Sequence, residues 1–143
     1  MLLNTAAAVV GFITKLEDET AKFYEKISQK YPEGKQTFLS FSKENRQNKV
    51  MVERAYYGVI TDALEACFSF KDGLDPKAYE VKMELAEGAT YSDALKAALK
   101  IEETIKKIYT DAADLCESLM ADVPRAFRLV ARKREARIAK LKT

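Results

Sequence analysis

Histidine is missing from this chain of 143 residues, so no imidazole is available to bind a metal. The two cysteines, Cys67 and Cys116, have no paired spacing and give neither a zinc motif nor a disulfide framework. Five glycines and three prolines are few, and short runs rich in valine, isoleucine and threonine, which would indicate strands, are scarce. The composition therefore predicts an all-α chain built from long helices.

The length and the apolar content define the broad class of protein. With 48% hydrophobic residues, 143 residues can bury a substantial core as one domain without disulfides or a structural metal. The apolar run 2–13 has no basic residues before it and is too short to span a bilayer. We therefore expect a soluble, cytoplasmic protein with no membrane partner.

Apolar residues that recur at steps of three and four predict four helices. Their predicted ranges are 5–29, 33–68, 92–119 and 124–141, with Ser92 and Asp122 as N-caps of the last two. The inner stripe of the second helix includes Phe41, Glu44 and Asn48. We predict one domain, 1–143, with a first hairpin 5–69, a crossover 70–91 and a second hairpin 92–141. This order is typical of a four-helix bundle with one long crossover.

One pattern occurs twice in the chain. Lys-Leu-Glu-Asp at 15–18 returns as Lys-Ile-Glu-Glu at 100–103, and a tyrosine follows each first glutamate after six intervening residues. Both of these glutamates, Glu17 and Glu102, fall on the apolar stripe of their helix. A bare carboxylate is costly to bury and needs a metal, a proton or a cation beside it. The repeat indicates a duplicated helical hairpin and makes the neutralisation of the two carboxylates the functional question.

The two glutamate–tyrosine patterns, together with Phe-Ser-Lys-Glu at 41–44, resemble the ferritin-like superfamily, and within it the rubrerythrin-like proteins, over nearly the whole chain. The resemblance implies a ferritin-like bundle whose di-iron ligands would fall on Glu17, Glu44, Gln47, Glu102, Arg134 and Arg137. Three of these six positions keep the ligand type. Gln47 replaces a family histidine, and Arg134-Glu135-Ala136-Arg137 replaces Glu-x-x-His. A shift of one residue in the last helix would turn Glu135 inward instead.

Three interpretations of these positions remain open. In the first, which we favour, Arg134 and Arg137, with Gln47, replace the metal and hold the vestigial ligands Glu17, Glu44 and Glu102 in a buried ion network. In the second, a residual metal site takes a hard ion such as magnesium, calcium or manganese. In the third, the glutamates are ordinary exposed residues.

The favoured interpretation predicts a non-catalytic structural or interaction module that has a degenerate di-iron site and needs no cofactor. The alternative is a divergent rubrerythrin-like oxidoreductase that binds iron or another divalent metal and acts in iron handling or peroxide defence. A rubredoxin-type module, which needs four cysteines around one iron, is absent from the sequence.

Charge and aromatic residues suggest the partners. Residues 125–143 carry eight basic residues and one acid, a net charge of +7, which leaves −5 for the rest of the chain. This basic helix either binds anions, such as nucleic acid or acidic partners, or balances the acidic remainder of the bundle. We favour charge balance, and the low net charge makes nucleic-acid binding unlikely. A group of aromatic residues near the end of the long second helix predicts a homodimer along that helix: Tyr56, Tyr57, Phe68, Phe70 and Tyr91.

Overall fold

A computed structural model describes residues 2–60, 69–117 and 122–143. Within these ranges the chain is mostly helical, as predicted, with four α-helices and one small two-stranded sheet. The elements follow in the order β1 (Leu3–Thr5), α1 (Ala6–Lys30), a 3₁₀ turn (Pro32–Gly34), α2 (Lys35–Ile60), β2 (Ser69–Leu74), a 3₁₀ turn (Pro76–Tyr79), α3 (Tyr91–Cys116) and α4 (Asp122–Leu141). The predicted continuation of the second helix beyond residue 60, which includes Cys67 and Phe68, lies outside the described residues.

Side-chain caps begin the helices that supply the core carboxylates. The Thr5 hydroxyl accepts a hydrogen bond from the Ala8 amide at 3.0 Å at the start of α1. Thr90 and Asp93 form a reciprocal capping box at the start of α3, so Thr90 is the N-cap, and not Ser92 as predicted. Asp122 is the first residue of α4 and precedes Pro124, which the first turn of a helix tolerates.

Ion pairs between neighbouring helices define the directions of the bundle. Residue numbers rise in one helix as they fall in its neighbour, both between α1 and α2 and between α3 and α4, so each hairpin is antiparallel. The pairs are Glu25–Arg46, Asp18–Lys49, Lys106–Glu135 and Asp114–Arg128. Hydrogen bonds from Tyr24 to Glu102 and from Tyr109 to Glu17 make α1 antiparallel to α3 as well. Consequently α2 and α3 run in the same direction.

The segment 75–90, which we call the strap, lies along α1 and α3. Near its start the Tyr79 hydroxyl donates to Asp111 of α3 at 2.6 Å, and burial is the main reason why the pKa of Tyr79 is raised. Near its end Lys30 donates to the Glu87 carbonyl at 3.1 Å, and the Tyr31 hydroxyl donates to the Ala89 carbonyl at 2.6 Å. The strap therefore follows these two helices from one end of the bundle towards the other.

The small sheet was not predicted. Strands β1 and β2 pair antiparallel, with Leu3 opposite Leu74 and Thr5 opposite Ser69. Gly73 has a φ of 65°, and a Cβ there would lie 2.6 Å from the Leu3 carbonyl oxygen, so glycine is required. The sheet joins the start of α1 to the start of the crossover.

Several aromatic residues that were predicted to form a dimer surface lie in the core instead. Tyr56 and Phe70 are buried in the main hydrophobic cluster. The Tyr91 ring packs against Phe38 and Tyr31, with centroid distances of 6.2 and 6.1 Å. Of the predicted group, only Tyr57 is described as exposed, with 54% of its surface accessible. No helix in the described ranges is both long enough and apolar enough to cross a membrane.

Candidate functional site

Two glutamates of the internal repeat lie in the centre of the bundle. Glu17 of α1 and Glu102 of α3 are 1% and 0% exposed, respectively. Each lies on the stripe that its helix turns inward, next to buried neighbours such as Ile13 and Ile105. Helical periodicity therefore explains why these carboxylates face the core.

Arg134 of α4 bridges the two buried glutamates. Its Nη1 donates to Oε1 and Oε2 of Glu102 at 2.9 and 2.8 Å, and its Nη2 donates to Oε1 of Glu17. The arginine side chain is itself fully buried. A guanidinium group has planar donors that suit carboxylates, so a single arginine holds carboxylates from two helices.

Arg137, one turn further along α4, extends the network to α2. Its Nε donates to Oε1 of Glu44 at 2.9 Å, its Nη1 to Oε2 of Glu102 at 3.2 Å, and its Nη2 to the Phe41 carbonyl at 3.0 Å. The guanidinium carbon also lies 4.7 Å from the Phe41 ring centroid, a cation–π contact. The side chain of Glu44 is 34% exposed, so among the three glutamates of the network it alone reaches solvent.

Each of the two tyrosines of the repeat donates a hydrogen bond to the glutamate of the other hairpin. Tyr24 of α1 donates to Oε2 of Glu102 at 2.6 Å, and Tyr109 of α3 donates to Oε2 of Glu17. Burial, together with the neighbouring carboxylate, raises the pKa of both hydroxyls well above the ordinary value. Each tyrosine therefore stays protonated and acts as a hydrogen-bond donor to the other half.

The charges in the network stabilise one another. Burial alone would raise the pKa of Glu102, but Arg134 and Arg137 outweigh burial and lower it. Burial likewise opposes the charge on Arg134, while Glu102 and Glu17 raise its pKa well above the ordinary value. Both groups are therefore ionised at neutral pH.

The donor set does not fit a di-iron centre. Both oxygens of Glu17 and both oxygens of Glu102 already accept hydrogen bonds from arginine or tyrosine. Arginine supplies only donors and keeps its charge, so it cannot act as a metal ligand. Among the described residues, no group of three or more histidine, cysteine, aspartate or glutamate side chains is arranged to hold a metal ion.

The structure brings five of the six predicted positions together and corrects the sixth. Gln47 is exposed on the surface of α2 and lies outside the network. Asn48, the next residue, is fully buried, as is Asn45 one turn before it, and neither side-chain amide has a hydrogen-bond partner among the described residues. Glu135 points away from the core and pairs with Lys106. The register of α4 therefore places Arg134 inward.

Sequence reasoning missed Asn45, although it placed Asn48 on the inner stripe of the second helix. The crossed tyrosine bonds were also missed, although the repeat itself carried their signal. Comparisons of the chain with models of protein families, with curated proteins and with solved structures find no match. The chemistry of the site must therefore be argued from its own residues.

Proposed function

We propose that this chain is a ferritin-like bundle in which an arginine–carboxylate network stands in place of a di-iron centre. The protein then serves as a non-catalytic structural or interaction module. The observation that supports this most directly is the Arg134 guanidinium between Glu17 and Glu102. The cytoplasmic location stays a prediction from the sequence.

The chemistry of the network favours a structural role. The two guanidinium groups keep their charge at any physiological pH and therefore cannot act as bases. The buried carboxylates Glu17 and Glu102 are held by charged donors, so their oxygens are unavailable to substrates or cations. A cation entering the network would also meet Arg134 and Arg137 and be repelled by them.

Iron loading tests this proposal. We expect untagged protein, incubated with ferrous iron without oxygen and then desalted, to retain far less than one iron per chain by elemental analysis. We also expect no ferroxidase or peroxidase activity above that of free iron. Two tightly bound irons per chain would overturn the proposal and favour the iron-handling oxidoreductase instead. The tag must be removed because it would supply histidines that the chain lacks.

Introducing metal-ligand residues tests the proposal that the network stands in place of a di-iron centre. We expect the triple variant Asn48→His/Arg134→Glu/Arg137→His to gain iron binding, because all three positions are buried and position 48 shares a helix face with Glu44 at a spacing of four. The matched control carries Gln47→His instead of Asn48→His, and it should bind more weakly because position 47 is exposed. If neither variant binds iron while both stay folded by circular dichroism, the ligand positions inferred from the ferritin-like bundle are incorrect.

We further propose that two copies associate along α2. Leu39, Val50 and Tyr57 are 42%, 43% and 54% exposed, and their spacing places them on one face of that helix. A twofold axis through Val50 would pair two antiparallel copies of this stripe. In this register Lys43 lies opposite Tyr57, which is a favourable contact, and Arg46 lies opposite Arg54 with Glu53 beside it.

The dimer is tested by light scattering after gel filtration. We expect a dimer for the native chain at about 100 μM and a monomer for Val50→Glu, because two carboxylates would then meet at the twofold axis. Leu129→Glu is the matched control, since Leu129 is a similarly exposed apolar residue on α4. A native monomer at this concentration would disprove the dimer and leave the proposal for the ion network untouched.

A further inference from the structure

The basic residues of α4 fall into two groups. One group is neutralised by acids of other helices. Arg128 lies 3.2 Å from Asp114 and 3.4 Å from Glu117, at the end of α3. Arg134 and Arg137 neutralise the three glutamates of the network described above. For these three arginines, the charge-balance interpretation of the basic helix accounts for the structure.

The residues of the other group are not neutralised by acids of other helices in the described ranges. Arg132, Lys133 and Lys140 have no ion-pair partner in the part of the chain that the structure describes. Arg125 lies 3.7 Å from Asp122 within its own helix, and both side chains are more than two-thirds exposed. Exposed ion pairs of this kind contribute little to stability, so Arg125 can readily pair with an acid of another molecule instead.

These unbalanced residues lie on one side of the helix. We use the name basic stripe for Arg125, Leu129, Arg132, Lys133, Ala136 and Lys140. Their spacing keeps them within roughly 100° of the helix circumference and extends about 22 Å along it. Leu129 is 37% exposed in the middle of the stripe. Of the acids in α4, Asp122 lies at its first residue and Glu135 turns towards Lys106 of α3.

We propose that the basic stripe binds an acidic segment of another protein, in which carboxylates flank an apolar side chain. The positive charges supply complementarity, and Leu129 supplies an apolar contact that a phosphate backbone could not use. This combination favours an acidic peptide over nucleic acid. The stripe is separate from the α2 face proposed for the dimer and does not involve the metal-free network.

A peptide-binding titration tests the proposal. The probe is a fluorescein-labelled peptide of about 15 residues, with leucine at its centre and glutamates at helical spacing on the same face. We expect binding by fluorescence anisotropy that weakens as salt rises, and no binding of the same peptide with glutamine in place of glutamate. Arg132→Glu/Lys133→Glu should weaken binding about tenfold or more.

The control variant reverses two positive charges on α1, away from the basic stripe. Lys22 and Lys26 are exposed on α1, so Lys22→Glu/Lys26→Glu gives the same net charge away from the stripe. We expect this control to change the peptide affinity less than about twofold, because charges there lie far from the ligand. Equal weakening in both double variants, no peptide binding at low salt, or tighter binding of a duplex DNA would each overturn the proposal. Thermal melts of both variants establish that they are folded, and iron content reports separately on the proposed loss of the metal centre.

Discussion

The two helical hairpins contribute unequally to the network. Helices α1 and α3 are nearly equivalent, because each supplies a buried glutamate and a tyrosine that bonds to the glutamate of the other half. Helices α2 and α4 differ. The α4 helix supplies both arginines, whereas α2 supplies a half-buried Glu44 and two buried asparagines for which the described ranges contain no hydrogen-bond partner. The difference indicates that α1 and α3 carry two of the three carboxylates of the network, whereas α4 supplies both of its arginines.

The largest loss of stability should come from removing Arg134, the central cation of the network. Arg134→Met would leave Glu17 and Glu102 buried and short of positive charge, and we expect the free energy of unfolding to fall by about 3–5 kcal/mol. Urea unfolding measures the change. Arg128→Met on the same helix is the control, and its partly exposed pairs should cost less than about 1 kcal/mol. Similar losses in the two variants would contradict a buried network.

A smaller effect should distinguish the two crossed tyrosines. Tyr109→Phe removes the sole described donor to Oε2 of Glu17, whereas Oε2 of Glu102 keeps arginine donors when Tyr24→Phe removes its tyrosine. We expect Tyr109→Phe to cost about 1.5–3 kcal/mol and Tyr24→Phe to cost less. Chemical denaturation of the single variants and the double variant measures both. Equal costs would mean that the two halves are more symmetric than the arginine bonds indicate.

Replacing the buried Asn48 amide should raise the free energy of unfolding, whereas the variants above should lower it. Asn48→Leu removes buried polar atoms that have no hydrogen-bond partner among the described residues and keeps the same branched arrangement of heavy atoms, so we expect a gain of about 1 kcal/mol in the free energy of unfolding. Gln47→Leu, at the exposed neighbouring position, should change stability by less than about 0.5 kcal/mol. A clear loss of stability in Asn48→Leu would show that the amide has a hydrogen-bond partner in solution.

The pH dependence should give the smallest effect near neutrality. The pKa of Glu102 is lower in the folded chain than in the unfolded chain, so its stabilisation is fully present above the unfolded pKa. This stabilisation is lost as the pH falls through the folded value. Between pH 7 and the unfolded pKa near 4.5 the loss for this carboxylate is small, and it grows below that pH. Stability that rises on acidification over this range would contradict an ionised Glu102.

Periodicity allowed much of the fold and of the site to be predicted. The strong apolar stripes of α1 and α3 placed Glu17 and Glu102 inward, and the same step of four placed Asn48 inward on α2. The resemblance instead suggested Gln47, which lies about 100° further back around the helix and is exposed. Where the two arguments differed, the side chain follows the helical phase of this chain.

The remaining features depend on contacts between distant parts of the sequence. Strand β1 is only three residues long, and its pairing with β2 joins positions more than sixty residues apart, which no local pattern reports. The capping box at Thr90 was missed because Ser92 is an equally suitable residue type nearby. The buried state of Tyr56 and Phe70 likewise depends on how the elements pack.

The strap has a consequence for how water could reach the interior. It is anchored near both ends, by Tyr79 to Asp111 and by Tyr31 to Ala89, and so it closes the seam between α1 and α3. The opposite seam, between α2 and α4, has Glu44 at its surface. Because a carboxylate of the network is already partly exposed there, the α2–α4 seam is the one to monitor by hydrogen exchange for openings that reach the buried charges.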